Sequence, residues 1–405
     1  MKKNNTAWLI CAAGMLAMLC NMGLSSNILA VYLPFIEETG ISGAQGSAIV
    51  SVRCISSFVS MFLVAEFYKK ISLRRGIALS ALIGCAGYLV FAAGGSIFVY
   101  YVGAVLFGIS YGFGTMIPVS ILITRWFEQD KGTALGICSA GTGAATIIFS
   151  PIITANTQAN GLRSTYFIMA GFVFLCAVIL YIIIRDRPED IGKLPYGEKA
   201  AAAADEKETE SENFNVPIVT WFAMLFMLFL AGGAGQAASA HVSIAVKTAG
   251  YTATQAGLAV SIYGIALILG KLLMGRVADV IGAKNSSLLF MIVFCAGCLI
   301  PLLFNGTSGI IYVMFALILG LGCPFFTVGV TLWASDLAPK RDYEKTIRYF
   351  QILYAAGGIV FTAIPGRIAD ITHEYISTYL MLLIMILICM FLLIIFYRKR
   401  KTLYK

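Results

Sequence analysis

Two charged residues stand out in the segment 270–284, which reads GKLLMGRVADVIGAK. Lys271 lies among leucines, and Asp279 follows eight residues later. Because a cation within an apolar helix is costly, such a lysine either binds an anion or extends its amine to the nearest polar surface. Eight helical residues separate the two charges by about 12 Å, which predicts separate roles for them. The sequence favours an anion-binding role for Lys271 and leaves the surface role open.

Arg53 and His241 are two further residues that could bind an anion or carry a proton. Arg53 is a second cation inside an apolar segment. It either lines the binding cavity or pairs with Glu37 or Glu38, and both interpretations stay open. His241 can change charge near neutral pH, so it either carries a proton or hydrogen-bonds at an outer gate. The sequence contains no nucleophile–base set and no cluster of metal ligands, so we expect no enzyme activity, no metal and no cofactor.

The composition identifies the solvent around these residues. The chain has 405 residues, of which 59% are hydrophobic and only 12% are charged. A soluble domain carries about 25% charged residues, so most of this chain is expected to contact lipid. A membrane-spanning helix needs about 20 mostly apolar residues. We predict an all-α membrane protein with twelve transmembrane helices, at about 8–35, 45–68, 76–94, 97–124, 132–156, 164–184, 217–245, 254–278, 286–304, 309–333, 344–366 and 376–397.

The basic residues predict the orientation of these helices. Most of the 29 Lys and Arg residues lie in segments on the same side as the N-terminus. Only Arg163, Lys247 and Arg367 lie in segments on the other side. Because cytoplasmic loops are enriched in Lys and Arg, we predict that both termini lie in the cytoplasm. This rule also explains the net charge of +9, so the expected partners are membrane lipid and a small molecule, and no nucleic acid.

The chain divides into two similar halves. A polar segment at 185–216 is predicted to be a cytoplasmic linker between an N-terminal six-helix bundle (1–184) and a C-terminal six-helix bundle (217–405). The segments GISGAQGSAIVS and GYTATQAGLAVS lie 210 residues apart, with identical residues at Gly40/Gly250, Gln45/Gln255, Val50/Val260 and Ser51/Ser261. A parallel six-plus-six repeat is typical of secondary transporters.

Three motifs carry a family resemblance. GRVADVIGAK resembles the loop signature G-x-x-x-D-x-x-G-x-[RK] of the major facilitator superfamily, with Gly275, Asp279, Gly282 and Lys284 at its fixed positions. RWFEQDKGTALGICSAGTGAATIIFSP and RDRPEDIGKLP resemble stretches of the bacterial oxalate/formate antiporters and monocarboxylate transporters. The resemblance implies two bundles around a central substrate site that opens alternately to each side. It also implies a location in the bacterial cytoplasmic (inner) membrane, and we expect the chain to act as a monomer.

The resemblance also implies roles for individual residues. Lys271 lies where the oxalate and monocarboxylate group has an arginine that binds the substrate carboxylate. Asp279 is expected to hold the cytoplasmic side closed by contacting the helix that begins near Gly132. Helices expected to lie inside the bundles, the first, fourth and seventh, supply further candidates for substrate binding: Asn27, Tyr32, Tyr111 and Gln236. The tyrosines of the eighth and eleventh helices, Tyr263 and Tyr354, are added as candidate hydroxyl donors or gate aromatics.

The predicted function is secondary active transport of a small organic anion. A lysine is a point charge without the paired donors of arginine. The oxalate group that this chain resembles also carries a lysine shortly after an eleventh-span tyrosine, whereas no lysine follows Tyr354 here. These two features favour a monocarboxylate or larger organic anion over oxalate. Anion exchange and proton symport both remain open. The alternative is a drug or lipophilic-compound exporter. Such exporters often have the pattern G-x-x-x-G-P-x-x-G-G in the fifth span, and the residues around Pro151 do not have glycines at these positions.

Overall fold

The computed structural model describes residues 5–197, 218–304, 306, 308–338, 342–362, 364, 368 and 376–403. These residues are almost entirely helical, and the only β pairing among them is an isolated parallel bridge between Phe127 and Tyr196. The chain forms two compact units, Met1–Glu198 and Lys199–Lys405.

The N-terminal unit contains seven α-helices that make six membrane crossings. These are α1 (Asn5–Met18), α2 (Leu29–Glu37), α3 (Gly43–Lys70), α4 (Leu73–Ala93), α5 (Ile97–Gly114), α6 (Met116–Trp126) and α7 (Lys131–Ile183). A π-helical segment at Leu19–Asn27 joins α1 to α2, and a break at Thr115 separates α5 from α6. Helix α7 contains two crossings, which meet at Gly161.

The C-terminal unit has a matching order of helices. These are α8 (Ile218–Ala240), α9 (Val242–Thr248), α10 (Ala253–Leu299), α11 (Gly309–Gly322), α12 (Val328–Leu337), α13 (Tyr343–Thr362) and α14 (Ile376–Leu403). A 3₁₀ segment at Cys323–Phe326 joins α11 to α12, and another at Ile300–Leu303 extends α10. Helix α10 contains two crossings, which meet at Gly282.

The prediction of twelve transmembrane helices is confirmed. Within the described residues, nine segments are long and apolar enough to cross a membrane. Two of them, Lys131–Ile183 and Thr254–Leu303, each contain two crossings joined at a glycine, and α13 supplies the last. Helix α13 is less apolar than the other crossings, because its first two turns carry Glu344, Lys345 and Arg348.

The two crossings of α10 meet in a way that differs from the prediction. The sequence predicted a loop between helices at 278 and 286, whereas helical structure continues on both sides of Gly282. Gly282 has φ 83° and ψ 160°, a backbone conformation that is nearly restricted to glycine. One glycine therefore reverses the chain direction without a loop, and Gly161 (φ 79°, ψ 168°) does the same in α7.

The internal repeat is visible in backbone geometry. Gly40 and Gly250 adopt left-handed φ values of 94° and 91°. Two residues later, Ser42 and Thr252 each begin a helix with a capping box, in which the side chain accepts from the backbone N–H of Gln45 or Gln255. The glutamine side chain in turn accepts from the backbone N–H of the capping residue. The identities found at an offset of 210 residues thus specify the same helix start in both units.

Residues 185–197 belong to the N-terminal unit, although the sequence assigned them to the linker. The Tyr196 backbone N–H donates to Trp126 O at 2.8 Å, and the Tyr196 carbonyl accepts from Glu128 N at 2.9 Å. The Trp126 indole donates to Arg185 O at 2.9 Å. The remainder of the predicted linker, 198–216, lies outside the described residues.

Candidate functional site

Lys271 lies in the first crossing of α10 and is only 4% exposed. The neighbouring Gly270 packs against the end of α11, where a side-chain carbon on Gly270 would lie 2.8 Å from Leu321 O and 2.7 Å from Pro324 Cγ. This close approach brings Lys271 within electrostatic range of the Cys323 thiol. The lysine is therefore inside the unit and does not lie along its outer surface.

Tyr263 lies two helical turns before Lys271 and faces the same cysteine. Its hydroxyl donates to Cys323 Sγ at 3.2 Å, and the Tyr263 side chain is 6% exposed. Lys271, Tyr263 and Cys323 thus form a cluster, called here the lysine cluster. Cys323 was not among the residues that the sequence suggested, because a cysteine within an apolar helix is typical of core packing.

The other candidates in this unit are Gln236 on α8, His241 just after α8, and Tyr354 on α13. A side-chain carbon on Gly232 would overlap the backbone carbonyl of Tyr354, so α8 and α13 are in direct backbone contact. Tyr354 is half-buried, and Gln236, one turn beyond Gly232, is exposed with its stem against Gly358. His241 lies at the break between α8 and α9, where its Nδ1 is 2.9 Å from Ala237 O.

In the N-terminal unit, Arg53 and Tyr111 come together. The guanidinium carbon of Arg53 lies 5.6 Å from the centre of the Tyr111 ring, and both side chains are half-buried. Arg53 Nη2 donates to Cys54 Sγ at 2.9 Å, while Nε is buried without a hydrogen-bond partner among the described residues. Glu38 is exposed, and the Glu37 side chain lies outside the described residues.

Tyr32 and Asn27 occupy different surroundings from each other. Tyr32 is 1% exposed and lies within an aromatic cluster, with its ring centre 4.9 Å from that of Tyr166 and 6.3 Å from that of Tyr88. Asn27 ends the π-helical segment and is exposed, and its Nδ2 donates to Thr142 O at 3.3 Å. Tyr32 therefore packs inside the unit, while Asn27 links the first crossing to the fifth.

The N-terminal unit also contains a buried polar network, whose connections the sequence did not reveal. Asn21 Nδ2 donates to Gly114 O at 3.0 Å, and Ser110 Oγ donates to Asn21 Oδ1 at 3.1 Å. Ser25 Oγ lies 3.5 Å from Ser110 Oγ. The three side chains, Asn21, Ser25 and Ser110, are almost completely buried. The signal in the sequence was the presence of these polar residues within the first and fourth spans.

The residues of the loop signature surround the glycine turn of α10. Gly275 is buried, Asp279 is exposed, and Lys284 is half-buried. Gly282 forms the turn itself. The signature therefore places its acidic residue in the last turn before the chain reverses, which is the position expected of a charge at the membrane edge.

A comparison with known families identifies the protein class. The family model described as Major Facilitator Superfamily matches residues 14–252 and 224–405. The chain belongs to the major facilitator superfamily. Among solved structures of the superfamily, the proton:xylose symporter XylE has a TM-score of 0.76 at 12% identity, covering 96% of this chain and 95% of that one. At this identity the likeness concerns the fold alone.

The sequences of several other transporters can be aligned with most of this chain. The uncharacterized MFS-type transporter YcxA of Bacillus subtilis is 26% identical, over 85% of this chain and 84% of that protein. The multi-drug resistance efflux pump PmrA of Streptococcus pneumoniae is 23% identical over 84% of both chains. Human monocarboxylate transporter 12 is 22% identical, over 92% of this chain and 77% of that protein.

These comparisons establish the general function. The protein is a multi-pass membrane transporter of the superfamily, and it is not an enzyme. Its relatives are named for both drug efflux and monocarboxylate transport, so their names do not define one substrate class.

Proposed function

We propose that the protein transports a small organic anion of the monocarboxylate type across the bacterial cytoplasmic membrane, with both termini in the cytoplasm. Transport proceeds by alternating access, either as anion exchange or as proton symport, and Lys271 provides the main charge that binds the substrate. The two helical bundles are 1–184 and 217–405, and the monomer is the working unit.

The burial of Lys271 carries this proposal. Its side chain is 4% exposed in the middle of a membrane crossing. A lysine at such a depth costs about 2.5–3.5 kcal/mol on insertion scales, and cations of this kind usually mark a substrate or ion pathway. The Tyr263 hydroxyl and the Cys323 thiol at the same place supply neutral polar groups beside the charge. A carboxylate fits this arrangement, since it needs one cation and a small number of hydrogen-bond donors.

The residue types around the charge favour one carboxylate over two. Lys271 presents a single ammonium group, whereas an arginine would hold a carboxylate by two parallel hydrogen bonds. The eleventh span has Ala, Ala and Gly after Tyr354, so it offers no second cation there. The similarity to human monocarboxylate transporter 12 over 92% of the chain supports the same substrate class.

A drug or lipophilic-compound exporter is the second candidate. The similarity to the efflux pump PmrA over 84% of the chain favours it. An exporter of lipophilic cations would be hindered by a buried positive charge, because like charges repel more strongly at low dielectric constant. The two candidates therefore differ in the sign of the charge that Lys271 attracts.

Ligand-induced stabilisation of the purified protein separates the candidates. The wild type is heated in detergent with a panel of monocarboxylates, dicarboxylates and lipophilic cations. Lys271→Met is the test variant, because Met61 occupies the corresponding position of the first half and is similarly buried. Lys247→Met is the matched control, because Lys247 is an exposed lysine of the same unit.

The outcomes decide between the two functions. Stabilisation by monocarboxylates in the wild type and in Lys247→Met, but not in Lys271→Met, supports the anion site. Equal stabilisation of all three proteins moves the site away from Lys271, and Arg53→Gln becomes the next variant. Stabilisation only by lipophilic cations supports the exporter. Uptake into liposomes driven by a proton gradient or by internal anion then separates symport from exchange.

A further inference from the structure

A groove on the N-terminal unit lies between α4 and the second crossing of α7. It has a volume of about 480 Å³. One wall is formed by Arg75, Leu79 and Leu82, and the other by Phe174, Val178 and Tyr181. These positions are spaced by three, four or seven residues on each helix, so each wall is one continuous helix face.

The shape of the groove comes from small residues on its floor. Ala78 and Ala177 line it between the larger side chains, and both are buried. The apolar walls are open to the surroundings, since the exposure of Leu79, Leu82, Phe174, Val178 and Tyr181 ranges from 38% to 54%. The result is an apolar trough on the membrane-facing side of this unit.

The trough is short enough to lie within a single leaflet of the bilayer. Seven helical residues separate Arg75 from Leu82 and Tyr181 from Phe174, which corresponds to about 10 Å. Half of the hydrocarbon core is about 15 Å thick. The trough therefore begins at a membrane edge, where α4 starts and α7 ends, and it stops within the same leaflet.

The charged groups lie at one end of the trough. Arg74 is engaged with α7, because its Nε donates to Tyr181 O at 2.6 Å and its guanidinium carbon lies 4.2 Å from the centre of the Tyr181 ring. Asp186 accepts from the Arg74 backbone N–H at 2.8 Å, and the Arg185 side chain donates to the carbonyls of Ile182 and Ile184. Arg75 is exposed and lines the mouth.

We propose that this trough binds one phospholipid with an anionic headgroup. Its acyl chain lies along the apolar walls, and its phosphate lies beside Arg75 with no headgroup cation to neutralise it. An acyl chain gains little by leaving other lipid for an apolar trough, so the charge at the mouth selects the lipid. Basic pockets at the ends of transmembrane helices recognise anionic headgroups in this way.

Lipid retention by the purified protein tests this proposal. The protein is incubated in detergent with phosphatidylglycerol or phosphatidylcholine of identical acyl chains, and bound lipid is counted by native mass spectrometry. One basic residue near the membrane surface is worth about a fivefold preference for the anionic lipid. Arg75→Gln should abolish this preference, while Arg163→Gln should keep it, because Arg163 lies at the opposite end of the second crossing of α7.

A second pair of variants tests the acyl-chain trough. Val178→Trp fills the groove from an exposed position and should lower the retention of both lipids. Leu175→Trp is the matched control, since Leu175 is 57% exposed on the same helix and does not line the groove. Equal retention of the two lipids by the wild type would overturn the proposal, as would unchanged retention in Val178→Trp. Thermal stabilisation by inorganic phosphate equal to that by phosphatidylglycerol would identify a free-anion site instead and would also overturn it.

Discussion

The Tyr263 hydroxyl donates a hydrogen bond of 3.2 Å to the Cys323 thiol. Tyr263 lies two helical turns before Lys271 on α10. This bond joins the first crossing of α10 to the 3₁₀ segment that interrupts the tenth crossing. The lysine cluster therefore lies at a break in a transmembrane helix, where backbone and side-chain polar groups are available to a ligand.

Removal of the Tyr263 hydroxyl tests its role in the lysine cluster. We expect Tyr263→Phe to lower stability in detergent by about 1 kcal/mol, since one buried hydrogen bond is lost. We also expect affinity for the stabilising carboxylate to fall about fivefold, a further loss of similar size. Thermal unfolding and ligand titration measure both effects. Tyr312→Phe, a buried tyrosine of the same unit, is the control and should leave affinity unchanged.

The stacking of Arg53 on Tyr111 predicts an energetic coupling between these residues. A cation–π contact is worth about 1–2 kcal/mol when it is partly removed from water. Arg53→Gln and Tyr111→Leu should therefore each destabilise the protein, and the double variant should lose about 1 kcal/mol less than the sum of the two. Denaturant unfolding of the four proteins measures the coupling. Strict additivity would mean that the contact contributes nothing to stability.

The backbone of Gly282 predicts a strong cost for any side chain at that position. Its φ of 83° with ψ of 160° is nearly restricted to glycine, so Gly282→Ala should destabilise the protein by about 1–3 kcal/mol. Gly264→Ala is the control, because Gly264 lies within the same helix and a side-chain carbon there meets nothing within 4 Å. The control should gain about 0.5–1 kcal/mol. Similar thermal shifts in both variants would refute the role of the turn.

The position of Asp279 predicts that its substitution affects the transport rate but not the binding of carboxylates. Its side chain is exposed in the last turn before Gly282 and lies about 12 Å along the helix from Lys271. Asp279→Asn should therefore lower the transport rate in liposomes at least tenfold and leave the stabilisation by carboxylates intact. Glu38→Gln, an exposed carboxylate of the other unit, should retain both properties. A parallel loss of carboxylate binding in Asp279→Asn would assign this residue to the binding site.

The buried network around Asn21 predicts a loss of stability when its amide is removed. Asn21→Leu leaves Ser110 Oγ without its acceptor and Gly114 O without its donor, at a cost of about 1–3 kcal/mol. Ser120→Ala is the control, because Ser120 is equally buried but donates only to Ile117 O within its own helix. Unfolding in denaturant compares the two variants, and equal stabilities would contradict the network.

Much of the fold followed from local sequence properties. The twelve crossings follow from apolar runs, because each helix partitions into lipid by its own composition. The repeated helix start at Gly40–Gln45 and Gly250–Gln255 was also readable, since a capping box depends on residues three positions apart. The loop signature located the turn at Gly282, although it did not reveal that helical structure continues on both sides.

The sequence by itself determined the number of crossings, the repeat and the placement of Lys271 and Arg53 within apolar crossings, because all of these depend on residues that are neighbours along the chain. Only the tertiary structure decided that Cys323 meets Tyr263, that Arg53 lies over Tyr111, and that 185–197 packs beside Trp126. The residues of each pair are about 60 positions apart. Apolar patterning specifies which face of a helix is buried, but the packing of whole helices decides which side chain that face meets.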